Sequence, residues 1–258
     1  MNMVFIFFIG LCVGSFLNVI IVRTHENISI VRGRSICPFC HATLRFFDVI
    51  PVLSYLLLCG KCRFCHARIH PQYPLVELMT GVGFLLIYLR YTVGFSLPET
   101  FSVSLLPWFF VRDAFLLCVF LVIAVYDLRY TYILDRFILP ALIALIPLQL
   151  FLGMSWQSLL AGTLVLGSFF GAQYFFSHGT WVGGGDIRLG ILMGVTLGLS
   201  QGLFALLLAY GTGAFVAVLL LVTKKATRKT QIPFGPFLAG ATSIVLFAGT
   251  WMMNIFFL

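Results

Sequence analysis

Four cysteines have the spacing of a metal site. Cys37 and Cys40 form one CxxC pair, and Cys62 and Cys65 form a second pair after an interval of 21 residues. Two residues between thiolates let a tight turn present both sulfurs to one ion, and two such turns can close a tetrahedral site. We predict a structural zinc site, with a disulfide pair or unligated thiols as alternatives. Cys59 also competes as a ligand, and the spacing leaves its contribution open.

Two aspartates are the candidate reactive groups. Asp127 ends the apolar stretch FLVIAVYDLRY, and Asp186 follows a glycine run in GTWVGGGDIRLG. Carboxylates in apolar helices are costly to insert into a membrane, so they are functional candidates by default. Two adjacent carboxylates share a proton, so one can act as base and the other as acid on a water that attacks a peptide carbonyl. Taken singly, Asp127 could instead pair with Arg129, and Asp186 could cap a helix.

The glycines before Asp186 support the reactive interpretation. Gly183, Gly184 and Gly185 carry no side chains, so the backbone there can approach a substrate strand closely, although a plain flexible turn is the alternative. Asp135 competes as a partner for Asp186. It directly precedes an apolar run, and we predict that it caps that helix instead.

The composition identifies the elements that must position these residues. Of the 258 residues, 61% are hydrophobic and 9% are charged, whereas a soluble domain carries about 25% charged residues. Long, unalternating apolar runs indicate membrane-spanning helices. We predict an all-α polytopic membrane protein of about eight transmembrane helices, with a small cytosolic zinc-binding insert between the first two.

The predicted organisation has three parts. Residues 1–22 form the first transmembrane helix, which we interpret as a retained span and not as a cleaved signal peptide. Residues 23–73 form the cytosolic zinc-binding insert, and residues 74–258 form the helical membrane domain that carries both aspartates. No internal repeat is evident. The eight spans are predicted at about 3–22, 74–90, 106–127, 137–153, 157–177, 187–199, 202–222 and 236–257.

Basic residues predict the orientation. Seven of the sixteen Lys and Arg residues lie between the first two spans, and further clusters lie between spans three and four and between spans seven and eight. Positively charged loops stay in the cytosol, so both termini are expected outside it. The net charge of +8 fits contact with anionic membrane lipid and requires no nucleic-acid partner.

Several ordered motifs resemble those of the type IV prepilin peptidases, which are intramembrane aspartic proteases of the GxGD class. The resemblance covers almost the whole chain. Besides the paired CxxC insert and Asp127, it rests on GSFLNVIIVR at 14–23, DVIPVLSY at 48–55, YPLVELMTG at 73–81, GGGD at 183–186 and IPFGPFLAG at 232–240.

The resemblance implies a function. Such enzymes of the bacterial cytoplasmic (inner) membrane remove the basic leader from type IV prepilins or from pilin-like secretion or competence subunits, on the cytosolic face. Many then N-methylate the new amino terminus with S-adenosylmethionine. By position, Asp127 and Asp186 match the catalytic pair, and the four paired cysteines match the zinc ligands.

Three further residues are substrate or methylation candidates by resemblance alone. Gly60 and Lys61 are similar to a Gly-Lys pair that the family links to methylation, and Glu77 lies in another shared segment. The chain also departs from the family pattern, with Leu134 at a position often held by Pro and Arg188 at one often held by Lys. Neither departure falls on the two candidate aspartates.

Two other functions remain as alternatives. A proton- or cation-coupled transporter could use the two aspartates beside a broken span. A zinc-bearing membrane adaptor would need its cysteines but not its aspartates.

Overall fold

The computed structural model describes residues 2–95, 97, 101–225, 227, 230 and 232–256. Apart from two isolated β-bridges, the secondary structure of these residues is helical, as predicted. The α-helices are α1 (Met3–His25), α2 (Leu53–Leu57), α3 (Gln72–Val93), α4 (Leu106–Tyr130), α5 (Asp135–Phe151), α6 (Trp156–Ser177), α7 (Gly184–Val222) and α8 (Gly235–Phe256). Short 3-10 helices cover Phe46–Asp48 and Val103–Leu105.

In the described part of the chain, six helices are long and apolar enough to cross a membrane, against about eight predicted. The difference has two causes. Helix α5 has only 17 residues, or about 25 Å of helix, against a hydrocarbon core of about 30 Å. The predicted sixth and seventh spans both lie in the 39-residue element α7 and meet at an interruption within it. The chain is a polytopic membrane protein, as predicted.

Helix α7 is interrupted at Gly198. Its backbone angles there are φ 70° and ψ −164°, which are not helical. Only glycine adopts this region readily. A Cβ at this position would also lie 2.4 Å from the Ser158 hydroxyl oxygen. The interruption lies beside the predicted boundary between spans six and seven, and it divides α7 into a first segment that carries Asp186 and a longer second segment.

The chain forms two compact units, Met1–Leu89 and Arg90–Leu258. In the first unit, α1 packs on α3 through glycines. A Cβ on Gly10 would lie 2.7 Å from the Gly81 Cα, and one on Gly14 would lie 2.7 Å from the Glu77 Cα. Small residues of this kind allow membrane helices to approach at backbone distance.

The second unit contains α4 to α8 and one continuous apolar core. Helices α6 and α7 pack most closely. A Cβ on Gly162 would lie 2.6 Å from the Gly198 carbonyl carbon, and one on Gly194 would lie 2.5 Å from the Gly162 carbonyl carbon. In a bilayer such packing, and not the hydrophobic effect, drives helix association. These contacts hold the first segment of α7 against α6.

Candidate active site

Asp127 lies in the last turn of α4 and is 6% exposed. Its Oδ2 accepts a hydrogen bond of 2.9 Å from the backbone N–H of Gly235, the first residue of α8. Helix N-termini carry a partial positive charge and unpaired N–H groups, so they bind anions. Gly235 was not predicted as a site residue. Its only signal was that it lies within the IPFGPFLAG segment.

Asp186 is the third residue of α7 and is 8% exposed. Its Oδ2 accepts a hydrogen bond of 3.0 Å from the N–H of Gly183. A carboxylate at this helical position commonly reaches back in this way to an unpaired N–H. This hydrogen bond satisfies an N–H at the helix start, although the N-cap residue is Gly183 and Asp186 lies at the third helical position. It also holds the carboxyl group in a defined orientation.

The fold brings the two aspartates together. Ile133, which is buried, lies against both segments that hold them. A Cβ on Gly185 would lie 2.7 Å from the Ile133 Cβ, and a Cβ on Gly235 would lie 3.2 Å from the Ile133 Cδ1. Ile133 was not foreseen from the sequence because its partners are distant along the chain.

The three glycines differ in their surroundings. Gly183 supplies the N–H that binds Asp186. Gly184 faces open space, because a Cβ added there would meet no atom within 4 Å, whereas Gly185 packs directly on Ile133. A backbone approach by another chain is therefore sterically feasible at Gly184, and Gly185 has a packing role.

Asp135 does not cap α5 through its side chain. The helix begins at Asp135 itself, and Leu134 occupies the capping position without a side-chain hydrogen bond. The Asp135 carboxylate instead forms a half-exposed ion pair with Arg188, two residues beyond Asp186. The prediction of a cap was wrong because Asp135 falls one position inside the helix.

Tyr210 of α7 packs against the residue that precedes Gly235. Its hydroxyl donates a hydrogen bond of 3.0 Å to the Gln173 Oε1. Its ring centroid is 4.9 Å from that of Phe234, the neighbour of Gly235. An aromatic surface thus lies beside Gly235, whose N–H binds Asp127. No sequence pattern indicated this contact.

The four paired cysteines cluster as a metal site requires. Their Sγ atoms all lie within 4.8 Å of one another, and those of Cys37 and Cys65 are 3.8 Å apart. Four sulfurs at about 2.3 Å from a central zinc would be about 3.8 Å apart at tetrahedral angles. The cluster therefore fits a tetrahedral metal ion, and it does not include Cys59.

The two halves of this cluster are copies of one turn. ICPFCHAT at 36–43 and KCRFCHAR at 61–68 each close with an isolated bridge between their ends. In both copies the first cysteine accepts a backbone hydrogen bond from the histidine after the second cysteine. His41 and His66 both have positive φ. The prediction of no internal repeat is therefore wrong for these two segments, which share the pattern CxFCHA.

Hydrogen bonds and an ion pair around the cysteine cluster favour metal binding there. Burial raises the pKa of the Cys37 thiol, but hydrogen bonds from the Cys40 and Phe39 backbone and from neighbouring thiols outweigh this effect and lower the pKa to about 7. The lowered pKa favours the thiolate form, which is the form that binds metals. The Asp48 carboxylate accepts a hydrogen bond of 2.6 Å from the Arg63 Nε and one of 3.0 Å from the backbone N–H of Arg45. Slight burial raises the pKa of Asp48, and these contacts lower it below its usual value.

The methylation candidates have structural partners in the first unit. Gly60 has φ +68° and faces the Tyr55 ring, and Lys61 begins the second cysteine turn. Glu77 is buried and accepts a 2.7 Å hydrogen bond from the N–H of Val52.

Comparisons with known proteins agree over most of the chain. Residues 8–91 match the family model described as the bacterial peptidase A24 N-terminal domain, and residues 114–218 match the type IV leader peptidase family. A prepilin leader peptidase/N-methyltransferase of Bacillus subtilis (strain 168) is 30% identical over 97% of this chain and 96% of its own length. A protein of the same name from Myxococcus xanthus (strain DK1622) is 37% identical over 88% of this chain and 66% of its own length. Another from Aeromonas salmonicida (strain A449) is 30% identical over 95% of this chain and 90% of its own length. No solved structure matched the chain. The chain belongs to the type IV leader peptidase family.

Proposed function

We propose that this chain is an intramembrane aspartic endopeptidase with Asp127 and Asp186 as its catalytic pair. The substrates we propose are type IV prepilins or pilin-like secretion or competence subunits, whose basic leader is removed at the cytosolic face. The observation that carries the proposal is that two buried carboxylates, each held by a backbone N–H, belong to segments that both contact Ile133 or residues packed on it. The names of the relatives supply the substrate class.

The two carboxyl groups divide the work of peptide hydrolysis. The pair holds one proton, because two adjacent carboxylates resist double ionisation. The ionised member takes a proton from water, whose oxygen attacks the scissile carbonyl carbon. The protonated member donates its proton to the carbonyl oxygen. When the tetrahedral intermediate collapses, the newly protonated aspartate gives its proton to the leaving nitrogen as the C–N bond breaks. The other aspartate takes one hydroxyl proton as the carbonyl re-forms, so the pair again holds one proton.

The hydrogen bonds indicate which oxygens react. In both residues Oδ2 accepts a backbone N–H, from Gly235 at 2.9 Å and from Gly183 at 3.0 Å. We assign the shared proton and the attacking water to the two Oδ1 atoms. Because the donors belong to the backbone at helix N-termini, the carboxyl orientation is set before substrate binds.

The surroundings of Asp186 suit an extended peptide. Gly184 has open space beside it, so we propose that the substrate backbone passes there. An extended strand presents its carbonyls to a side-chain-free backbone without steric conflict. The aromatic surface of Tyr210 and Phe234 would contact apolar substrate side chains.

The cysteine cluster has a supporting role in this proposal. We propose zinc as its ion, bound by Cys37, Cys40, Cys62 and Cys65, because four thiolates at this separation suit it. Four protein ligands leave no open coordination position, so the zinc stabilises residues 23–73 as a cytosolic insert. Both chain termini would then lie outside the cytosol, in a bacterial cytoplasmic membrane.

N-methylation is a second reaction in the names of the relatives. We propose it for this chain on that ground alone, with S-adenosylmethionine as the methyl donor. Gly60, Lys61 and Glu77 stay candidates by resemblance. A test of this reaction is separate from the test of cleavage.

The aspartic mechanism can be tested with charge-removing variants. We would purify wild type, Asp127→Asn and Asp186→Asn, reconstitute each in liposomes with a prepilin substrate, and map the cleavage site by mass spectrometry. Both variants should fold and lose at least 1,000-fold in rate, about 4 kcal/mol of transition-state stabilisation. Asp135→Asn is the matched control, because it removes only a half-exposed ion pair of about 0–1 kcal/mol.

The outcomes separate this function from its alternatives. Full activity in either folded variant would remove that residue from the pair. Wild type that cleaves no prepilin, but moves protons or cations in a manner that needs both aspartates, would support a transporter. Partner binding that needs the cysteines but not the aspartates would support an adaptor.

A further inference from the structure

The interruption of α7 creates a local need for hydrogen-bond donors. At Gly198 the backbone leaves the helical region, with φ 70° and ψ −164°. The last turn of a helix has carbonyl groups that no later N–H in the same helix reaches. In apolar surroundings an unpaired carbonyl is costly, so a partner is expected. The carbonyls concerned belong to the turn just before Gly198.

Gln149 of α5 supplies these donors. Its Nε2 donates to the Val195 carbonyl oxygen at 3.2 Å and to the Thr196 carbonyl oxygen at 2.7 Å. The side chain is fully buried. One side-chain amide from a different helix therefore terminates the first segment of α7.

A buried ion cluster fixes the orientation of the Gln149 amide. The Arg112 Nη1 donates to its Oε1 at 3.3 Å, so the amide nitrogen must face α7. Arg112 is itself held by Asp113, whose Oδ1 is 2.7 Å from the Arg112 Nη2. The other oxygen of Asp113, Oδ2, accepts hydrogen bonds from the Arg90 Nη1 at 2.9 Å and from the Tyr91 hydroxyl at 2.6 Å. Gln149 thus connects a rigid ion cluster with the break in α7.

We propose that Gln149 is a positioning residue for Asp186, which it controls by fixing the far end of the helical segment that carries this aspartate. The inference rests on the proposed function, because it assigns Asp186 a catalytic role. Gln149 touches neither substrate nor the reacting atoms in this proposal. It acts through the segment from Gly184 to Leu197.

The length of this segment determines how far a small tilt would displace Asp186. Val195 is nine residues beyond Asp186, which corresponds to about 13 Å along a helix. A tilt of about 10° about the far end would move the Asp186 Cα by roughly 2 Å. Displacements of about 1 Å in an active site can cost about 100-fold in rate. Loss of the Gln149 contacts should therefore lower kcat and leave substrate affinity nearly unchanged.

Two substitutions separate the cap from the ion cluster. Gln149→Met keeps the side-chain length and removes both hydrogen-bonding groups. Gln149→Glu keeps an acceptor for Arg112 but removes the amide donor to α7. Thr242→Val is the matched control, because Thr242 is equally buried and its hydroxyl bonds only a carbonyl of its own helix, that of Leu238 at 2.6 Å.

Cleavage kinetics in liposomes provide the first readout. Normalised to folded, zinc-loaded protein, Gln149→Met and Gln149→Glu should each lower kcat at least tenfold and change KM by less than twofold. Thr242→Val should keep kcat within twofold of wild type. Wild-type kcat in either folded Gln149 variant, or an equal loss in Thr242→Val, would overturn the inference.

A second readout does not depend on activity. Dicyclohexylcarbodiimide modifies buried carboxyl groups, and mass spectrometry locates the adduct. The labelling rate at Asp186 should rise at least threefold in both Gln149 variants and stay unchanged in Thr242→Val. An unchanged rate in the Gln149 variants would overturn the inference even if kcat fell. If wild type cleaves no prepilin, the proposed function fails, and the labelling comparison still decides whether Gln149 positions Asp186.

Discussion

Replacing Gly235 with alanine tests the contact that holds Asp127. The added Cβ would lie 2.6 Å from the Asp127 Oδ2 and 3.1 Å from its Cγ. The N–H of the same residue donates to that oxygen at 2.9 Å. The substitution therefore places a methyl group where the carboxylate now lies, without changing any charge.

The expected magnitude follows from these distances. An ordinary contact between carbon and oxygen is about 3.3 Å or longer, so the carboxylate must move by about 0.7 Å. A displacement of about 1 Å can cost about 100-fold in rate, and a hydrogen bond to a charged group is worth about 1.5–3 kcal/mol. We expect kcat to fall about 10- to 100-fold in Gly235→Ala, with KM within about twofold.

Gly240→Ala is the matched control for this prediction. It makes the same chemical change on the same helix, and no atom lies within 4 Å of its added Cβ. Both variants would be assayed for prepilin cleavage in liposomes, with thermal unfolding measured in parallel. Folded Gly235→Ala with wild-type kcat, or equal losses in the two variants, would refute the reasoning.

Three further predictions concern the glycine run and the metal site. Gly185→Ala should lower kcat at least tenfold because its Cβ would lie 2.7 Å from the Ile133 Cβ. Gly184→Ala should keep kcat within threefold because its Cβ meets no protein atom within 4 Å, but it should raise KM because the methyl group would stand in the proposed path of the substrate backbone; cleavage kinetics distinguish the two variants. Cys62→Ser should reduce bound zinc, measured by elemental analysis, and lower the thermal midpoint, because a structural zinc contributes to folding. Asp48→Asn should release zinc to a chelator about two- to fivefold faster at pH 7, because it loses an ion pair worth up to about 1 kcal/mol.

Specific outcomes would count against each of these. Equal kinetics in the Gly184 and Gly185 variants would show that packing on Ile133 does not position Asp186. Undiminished zinc content in Cys62→Ser would remove that residue from the metal site. Chelator kinetics like those of wild type in Asp48→Asn would mean that its ion pair does not stabilise the cysteine turns.

Much of the architecture could be predicted because apolar runs of this length have few structural solutions. Residues 3–22 and 157–177 were predicted as spans, and α1 and α6 occupy Met3–His25 and Trp156–Ser177. The four-cysteine cluster was also predictable, since local CxxC spacing limits where the sulfurs can lie. Helix count was less predictable. A hydropathy pattern does not distinguish two spans from one helix interrupted at a single glycine, as at Gly198.

The contacts that define the candidate site were the least predictable. Asp127 and Gly235 are 108 residues apart, and the contact of Gly185 with Ile133 joins two segments at helix ends that are distant along the chain. Such contacts depend on how helices pack, which no local pattern encodes. Gln149 illustrates the same limit, because a lone amide in an apolar helix gave no sign of its partners. Asp135 was misplaced by one helical position, a usual error at helix ends.

The most direct test of the central claim compares Asp127→Asn, Asp186→Asn and the double variant in one cleavage assay. If the two aspartates act as one proton-sharing unit, either single substitution removes nearly all of the effect, and the double variant should be no more than about threefold slower than the slower single variant. If the residues act independently, the two losses should multiply. A multiplied loss, or a folded single variant with wild-type cleavage, would contradict the account.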